Sequence, residues 1–147
     1  MRALVQRVRK TALSVGGKPV SEIPLGLAVY LGVKEGDTRA QAEFIAKKIA
    51  HLRIFEDENG KMNLSVKDEG GEILLISQFT LYGDCTHGNR PSFIAAARPE
   101  TAQPLYEIVK EELIGYGIPV CTGVFGADMK IEQYNDGPVS ILIESEA

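Results

Sequence analysis

The sequence predicts a mixed α/β fold: one β-rich domain of mainly antiparallel strands, with two helices packed on the sheet. Two observations predict this class. Segments that alternate apolar and polar residues recur along the chain, as in strands with one buried face, whereas only two stretches carry apolar residues at helical spacing. A chain of 147 residues fits one domain, which buries roughly 68–70% of its unfolded surface.

A hairpin opens the chain. Residues 3–15 and 18–24 alternate on either side of Gly16-Gly17, and glycines readily adopt the positive φ angles of tight hairpin turns. Residues 25–33 are mostly apolar and predict a largely buried strand.

A helix follows this strand. Asp37 or Thr38 can cap its start, because both side chains accept hydrogen bonds from backbone N–H groups. Lys47 and Lys48 fall on its wet side. The predicted apolar stripe, which we expect to pack on the sheet, consists of Phe44, Ile45, Ile49 and Leu52.

The middle of the chain combines extended segments with turns. Residues 53–56 are predicted to be extended, and residues 57–60, Asp-Glu-Asn-Gly, to form a turn. Gly71 precedes an apolar strand at 73–77. Residues 83–92 are rich in glycine and polar side chains, which is typical of a loop.

A second helix and three strands complete the prediction. Thr101 opens the helix, and Pro104 is tolerated in its first turn. Gly115 or Gly117 ends it. The inward side chains are Leu105, Ile108, Val109 and Leu113. The last strands are predicted at 118–125, 127–134 and 139–145.

Both helices are followed by the same order of features: an extended segment, a methionine and a glycine-led apolar strand. In the first half these are Met62 and residues 71–77, and in the second half Met129 and residues 137–145. An internal duplication of a half-domain is therefore possible, and it would place these two segments on related strands.

Composition narrows the class of protein. The chain is 44% hydrophobic and 24% charged, as in soluble globular proteins, and its apolar runs are too short to span a bilayer. Its start lacks the long apolar core of a secretory signal, so we expect a cytoplasmic protein. Since Cys85 and Cys121 are the two cysteines of the sequence, we expect no disulfide framework, and the lack of a CxxC spacing argues against zinc. We expect no metal and no cofactor.

The charge pattern bears on nucleic acid. A formal net charge of -4 argues against coating long nucleic acid, because such binding needs lysines and arginines to neutralise phosphates. We expect no DNA partner. Arg2, Arg7, Arg9 and Lys10 form a basic stretch without acids, which could contact a few phosphates or protect a solvated strand edge.

Residues 77–81, Ser-Gln-Phe-Thr-Leu, follow the buried strand. Backbone N–H groups there could hold a developing oxyanion. Thr80 is a candidate nucleophile whose nearest histidine in sequence is His87. Alternatively, Ser77 and Thr80 only satisfy backbone groups at the strand end, and Phe79 lies in the core.

A second segment whose backbone groups could contact a ligand is residues 135–140, Asn-Asp-Gly-Pro-Val-Ser. Pro138 at the start of an apolar strand usually marks an edge or a turn. A cis Gly137-Pro138 bond, which costs only about 0.5–1 kcal/mol in X-Pro bonds, would instead present its carbonyls to a ligand. Residues 90–93, Arg-Pro-Ser-Phe, could hold an aromatic ring or a phosphate, or only anchor the preceding loop.

With these motifs in view, the chain resembles the bacterial D-aminoacyl-tRNA deacylases over essentially its whole length. The segments that carry the resemblance are residues 3–8, 53–55, 60–64, 77–81, 90–93, 127–129 and 135–139. One departure is Ser140, where the family usually has threonine, so that the hydroxyl survives and one methyl group is lost.

The resemblance implies a homodimer that hydrolyses the ester joining a D-amino acid to the 3′ end of its tRNA, and that acts on glycyl-tRNA as well. A cis Gly137-Pro138 of one subunit would reach into the active site of the other. Its carbonyls would take the α-amino group and leave no volume for an L-oriented Cβ. By the same resemblance Arg7 helps to orient these carbonyls, and Pro91 and Phe93 are substrate-binding residues.

The resemblance also assigns a catalytic segment. Ser77, Gln78 and Phe79 match backbone that lines the catalytic pocket. Thr80 matches a residue to which the nucleophile's role is assigned. In another view the terminal ribose 2′-hydroxyl of the tRNA activates water. The sequence shows no evident base for Thr80, which favours this substrate-assisted mechanism. Two other classes stay open: a non-catalytic dimer that binds aminoacyl or nucleotide ligands, and a structural β-rich interaction protein.

Overall fold

The computed structural model describes residues 1–145, which form one six-stranded sheet, one two-stranded sheet, two α-helices and a 3₁₀ turn. The strands are β1 (Arg2–Val15), β2 (Lys18–Ile23), β3 (Gly26–Gly32), β4 (Phe55–Glu56), β5 (Met62–Leu64), β6 (Glu72–Ser77), β7 (Val120–Thr122) and β8 (Met129–Glu144). The helices are α1 (Arg39–His51) and α2 (Pro99–Gly115), and the 3₁₀ turn is Phe79–Tyr82. Neither helix in this part of the chain is long and apolar enough to cross a membrane.

The large sheet is mainly antiparallel, which confirms the predicted class. Its order is β2-β1-β3-β6-β7, and β8 pairs with the other edge of β1. Parallel pairing joins β6 to β3 and to β7. The sheet curls towards a nearly closed barrel, in which the Ser21 hydroxyl of β2 donates a hydrogen bond to the Thr122 carbonyl of β7.

The predicted hairpin is confirmed, with Gly16 and Gly17 at φ 57° and 77°. The turn at 57–60 is also present, closed by a 3.0 Å hydrogen bond from the Gly60 N–H to the Asp57 carbonyl. The short strand β5, which sequence periodicity did not indicate, pairs with β4. The two segments of the possible duplication have different partners, since β6 runs parallel to β3 and β8 antiparallel to β1.

The structure corrects the end of the chain. The strands predicted at 127–134 and 139–145 are one strand, β8, which pairs with β1 on both sides of residues 136–139. The ladder skips between the pairs Gln6↔Ser140 and Val8↔Asn135, so residues 136–139 form a bulge. A bulge bends a strand without ending it, and the Gly-Pro step therefore interrupts the ladder while β8 continues beyond it.

Helix α1 buries a narrower stripe than predicted. Thr38 is its N-cap, whereas Asp37 pairs with the Met1 amino group at 2.9 Å. The prediction for Phe44 is wrong, because its side chain is 43% exposed and lies under the Lys48 ammonium. The buried residues are Ala42, Ile45, Ala46, Ile49 and Ala50. The small alanines set the buried face and allow α1 to pack closely on α2.

Helix α2 begins two residues earlier than predicted. Pro99 takes the first helical position, where a missing N–H costs nothing, so Pro104 falls beyond the first turn. The helix ends at Gly115 with Tyr116 as its C-cap, and Gly117 follows at φ 86°. The predicted inward residues are confirmed: Leu105, Val109 and Leu113 are buried, and Ile108 packs against the core.

Candidate active site

A cleft of about 550 Å³ opens where β6 ends. One wall is formed by Ser77, Gln78 and Phe79. The cleft is also lined by Phe93 and Arg98, which precede α2 in the chain, and the segment around the start of β8 closes the other side. Three of the four predicted catalytic residues, together with Phe93, therefore line one cavity. Its lining is mostly apolar, as in sites that bury a small organic ligand.

The parallel pairing of β6 explains where this cleft lies. The Gln78 N–H still donates to the Leu31 carbonyl of β3 at 2.8 Å, so the sheet holds the chain in place up to Gln78. The 3₁₀ turn then redirects it across the strand ends. Ligand crevices commonly form outside the carboxyl ends of parallel strands.

The turn presents backbone donors. Among residues 1–145 no backbone acceptor takes the N–H groups of Phe79 and Thr80, since the first N–H groups of a helical turn have no partner inside the turn. They follow directly on the cleft-lining Ser77 and Gln78. Two adjacent N–H donors of this kind can stabilise an oxyanion.

No base is hydrogen-bonded to Thr80 within residues 1–145. Its hydroxyl accepts a hydrogen bond from the side-chain amide of Gln78, and an amide N–H cannot take a proton. His51 ends α1 with Nδ1 2.8 Å from the Lys47 carbonyl. Below the turn, burial and then the nearby Asp37 carboxylate raise the pKa of Tyr82 to about 12, so that Tyr82 stays protonated at neutral pH.

Phe79 and Phe93 form an exposed aromatic pair. Their ring centroids lie 5.2 Å apart at 71°, and Phe79 is 55% exposed. The alternative prediction that Phe79 lies in the core is therefore wrong. Backbone hydrogen bonds between Asp84 and Ser92 pin the loop, so the segment that holds Pro91 anchors it and brings Phe93 to the cleft. Pro91 itself is exposed outside the cleft.

Two charged side chains line the cleft. Asp128 pairs with Lys130 at 3.1 Å. Arg98, the N-cap of α2, takes part in none of the ion pairs formed within residues 1–145. Its guanidinium is thus available to a ligand anion. The sequence carried a weak signal for Arg98, because it directly precedes a proline that can open a helix.

Arg7, Gly137 and Pro138 form a second group. The Gly137-Pro138 bond is cis and lies in the β8 bulge, exposed and outside the cleft of its own chain. The buried Arg7 donates from Nε to the Asp136 carbonyl at 3.1 Å and from Nη1 to the Ile54 carbonyl at 2.7 Å. Arg7 therefore links the bulge to the segment after α1. These two segments are far apart in the sequence.

The basic stretch at the start of the chain is neutralised in the fold. Arg2 pairs with Glu144 at 2.7 Å, and Arg9 with Asp136 at 3.3 Å. Lys10 pairs with Glu22 across the hairpin at 3.1 Å. Strands β2 and β8 supply the acids that residues 1–10 lack, which weakens the expectation that this stretch contacts phosphates.

Within the described residues no three His, Cys, Asp or Glu side chains cluster as metal ligands would.

Comparison with known proteins gives independent evidence on the family of this chain. The family model for D-Tyr-tRNA(Tyr) deacylase matches residues 4–144. A D-aminoacyl-tRNA deacylase of Brevibacillus brevis is 54% identical over 145 residues, covering 99% of this chain and 100% of the relative. The solved structure of a c-Myc DNA Unwinding Element Binding Protein is 42% identical with a TM-score of 0.92, each chain being covered to 100%. A probable eukaryotic D-amino acid tRNA deacylase, at 17% identity and TM-score 0.83 over 97% of each chain, shares the fold.

Proposed function

The chain belongs to the D-Tyr-tRNA(Tyr) deacylase family, and on that premise we propose that it hydrolyses the ester bond between a D-amino acid and its tRNA. It is then a hydrolase that releases the free D-amino acid and the tRNA. The observation that carries the chemistry is the turn at the end of β6, where the N–H groups of Phe79 and Thr80 have no acceptor within residues 1–145. Those donors stabilise the oxyanion of the tetrahedral intermediate.

The substrate supplies the remaining chemistry. Water attacks the ester carbonyl carbon, the bond to the ribose 3′-oxygen breaks, and the proton lost by water passes through the ribose 2′-hydroxyl to that oxygen. This route suits a site in which, among the described residues, the Thr80 hydroxyl is hydrogen-bonded to the Gln78 amide alone. An aminoacyl ester is activated, so orientation and an oxyanion site suffice.

The cleft also suits the terminal adenosine. The exposed Phe79 and Phe93 pair offers a face on which a single-stranded base can stack. Arg98, which lines the same cleft, is placed to contact a phosphate of the tRNA 3′ end. The protein thus grips the end of tRNA rather than a long duplex, in keeping with its net charge of -4.

A homodimer would complete this site. Gly137 and Pro138 are exposed and lie outside the cleft of their own chain. Strand β8 pairs only with β1 among residues 1–145, and it carries the exposed Tyr134 and Leu142. A long free edge of this kind is normally covered. Pairing two copies along it would let the carbonyls of one Gly137-Pro138 enter the other subunit's cleft.

The Gly137-Pro138 step acts as the chiral filter. Its carbonyls accept hydrogen bonds from the substrate's α-amino group, and the backbone fills the space that an L-oriented Cβ needs. Such a filter reads no side chain, so D-amino acids of any size are accepted. Glycine has no Cβ and passes as well. The protein works in the cytoplasm, where aminoacyl-tRNA is made and used.

The rival function is a non-catalytic dimer that binds aminoacyl or nucleotide ligands in the same cleft. The family match and the N–H donors at Phe79 and Thr80 favour the enzyme. A DNA-binding role, named for the relative with 42% identity, gains no support from a basic stretch whose Arg2, Arg9 and Lys10 are paired with acids.

Turnover separates the enzyme from the binding module. Purified protein is incubated at substoichiometric concentration with D-tyrosyl-tRNA, and spontaneous hydrolysis is subtracted. Repeated turnovers per protomer support the deacylase. Protection of the ester, or thermal stabilisation by the substrate without release of tyrosine, would instead establish the module.

A further inference from the structure

A chain of side-chain hydrogen bonds crosses three strands beside the bulge of β8. The Tyr30 hydroxyl of β3 donates to Gln133 Oε1 of β8 at 2.8 Å. Gln133 Nε2 donates to Gln6 Oε1 of β1 at 2.7 Å, and Gln6 Nε2 donates to Ser140 Oγ at 3.1 Å. This series of hydrogen bonds therefore starts at β3 and ends on the far side of the bulge.

Gln133 uses its whole amide group. Besides its bond to Gln6, Nε2 donates to Asn135 Oδ1 at 2.5 Å, while Oε1 accepts from Tyr30. Neither a carboxylate nor an apolar side chain reproduces this set, because the carboxylate has no donor and the apolar chain has no polar atom. Burial raises the pKa of Tyr30, which keeps the phenol protonated and donating.

These bonds clamp both ends of the bulge. Residues 136–139 lie outside the ladder between Gln6↔Ser140 and Val8↔Asn135, so regular strand pairing does not fix their position. Asn135 precedes the bulge and is held by Gln133. Ser140 follows it and is held by Gln6. Arg7 adds a third tie at the Asp136 carbonyl.

We propose that Gln133, acting with Gln6 and Tyr30, is a positioning residue for the Gly137-Pro138 step and so sets the ratio of D- to L-ester hydrolysis without touching the substrate. The inference rests on the proposed function, since the step must face a substrate. A chiral filter works by excluding one Cβ, so a displacement of about 1 Å is enough to admit it. A stabilising network with no positioning role would leave the ratio unchanged in folded protein.

The direct test is Gln133→Met, which keeps the length of the side chain and removes all its hydrogen bonds. Glu132→Gln, at the neighbouring exposed position, is the matched control. The ratio of kcat/KM for D-tyrosyl-tRNA over L-tyrosyl-tRNA should fall by roughly tenfold or more in Gln133→Met and stay at the wild-type value in the control. A folded Gln133→Met protein with the wild-type ratio overturns the proposal.

Ser140 offers a milder pair of variants, should Gln133→Met fail to fold. Ser140→Ala removes the acceptor for Gln6, and Ser140→Thr retains it. We expect the D to L ratio to fall in Ser140→Ala and to be kept in Ser140→Thr. Equal ratios in the two variants would contradict the positioning role.

Hydrogen exchange separates this inference from the proposed function. Amide exchange in residues 135–140 should be at least about tenfold faster in Gln133→Met than in Glu132→Gln. If the wild-type protein hydrolyses no D ester, the proposed function fails and exchange alone decides the positioning role. Equal exchange in the two variants then overturns it.

Discussion

At the scale of single residues, the site relies on backbone groups and on a few side chains that orient them. The N–H groups of Phe79 and Thr80 are donors without an acceptor inside residues 1–145, and Arg7 holds two carbonyls. Sequence motifs selected these segments as candidates. They could not predict the exposure of Phe79, because an apolar ring after a buried strand normally enters the core, and only the 3₁₀ turn carries it out to Phe93.

Thr80→Ala tests whether the threonine is a nucleophile. In the described part of the chain the Thr80 hydroxyl is hydrogen-bonded to an amide donor and to no base. We therefore expect single-turnover hydrolysis of D-tyrosyl-tRNA to fall by less than about tenfold, the effect of one lost hydrogen bond. A loss of about 10⁴-fold or more, as when a true nucleophile is removed, would contradict this.

Gly137→Ala tests the filter. The residue sits at φ +130°, and an added Cβ would lie 2.8 Å from Val139 Cγ2 and 3.3 Å from Arg7 Nη2. We expect a stability loss of about 1–3 kcal/mol and a loss of at least about 100-fold in D-ester hydrolysis. Urea unfolding and initial rates measure the two effects. Near wild-type turnover by the folded variant would remove Gly137 from the site.

Arg98→Ala tests the contact with a tRNA phosphate. We expect KM for D-tyrosyl-tRNA to rise while kcat holds, and the slope of log K against log salt to shrink by about one unit. Lys18→Ala, at the distant hairpin turn, is the control that should leave both unchanged. An unaltered salt slope in Arg98→Ala would show that the phosphate is bound elsewhere.

At the scale of elements, local patterns predicted the hairpin, the two helices and the buried strand β6 well, because turn glycines and apolar periodicity act over a few residues. They failed where long-range pairing decides. The ladder with β1 carries β8 through a Gly-Pro step that locally predicts a break. Close packing of α1 on α2 selects alanines over Phe44 for the buried face.

The packing of α1 gives a matched pair of variants. Ile45 is fully buried, whereas Phe44 is 43% exposed. Ile45→Ala should lower the free energy of unfolding by about 2–5 kcal/mol, through lost burial and a cavity. Phe44→Ala should change it by less than about 1 kcal/mol. Urea denaturation measures both, and the reverse order would refute the assigned buried face.

At the scale of the whole molecule, the fold brings together segments that are distant in the sequence, and this is what sequence reading could least predict. The basic stretch at residues 1–10 looked free of acids, yet β2 and β8 neutralise it. The same arrangement leaves the outer edge of β8 unpaired among the described residues and keeps Gly137-Pro138 outside its own cleft. A second copy of the chain would cover the β8 edge and would also give Gly137-Pro138 a cleft to enter.

Mixed dimers test that arrangement. Gly137→Ala has an intact cleft and a blocked filter, while Ala127→Trp fills the cleft, which Ala127 lines, and keeps the filter. Sedimentation should give twice the chain mass of 16.0 kDa for each protein. Remixing the two inactive variants after unfolding should restore about a quarter of the wild-type rate, because half of the dimers gain one complete site. A mixture that stays inactive would place filter and cleft on the same chain.

Stereoselective hydrolysis is measured most directly by comparing matched D- and L-tyrosyl-tRNA with the purified wild-type protein, spontaneous hydrolysis being subtracted. We expect rapid loss of the D ester and far slower loss of the L ester. Equal hydrolysis of both esters, or of neither, would contradict it.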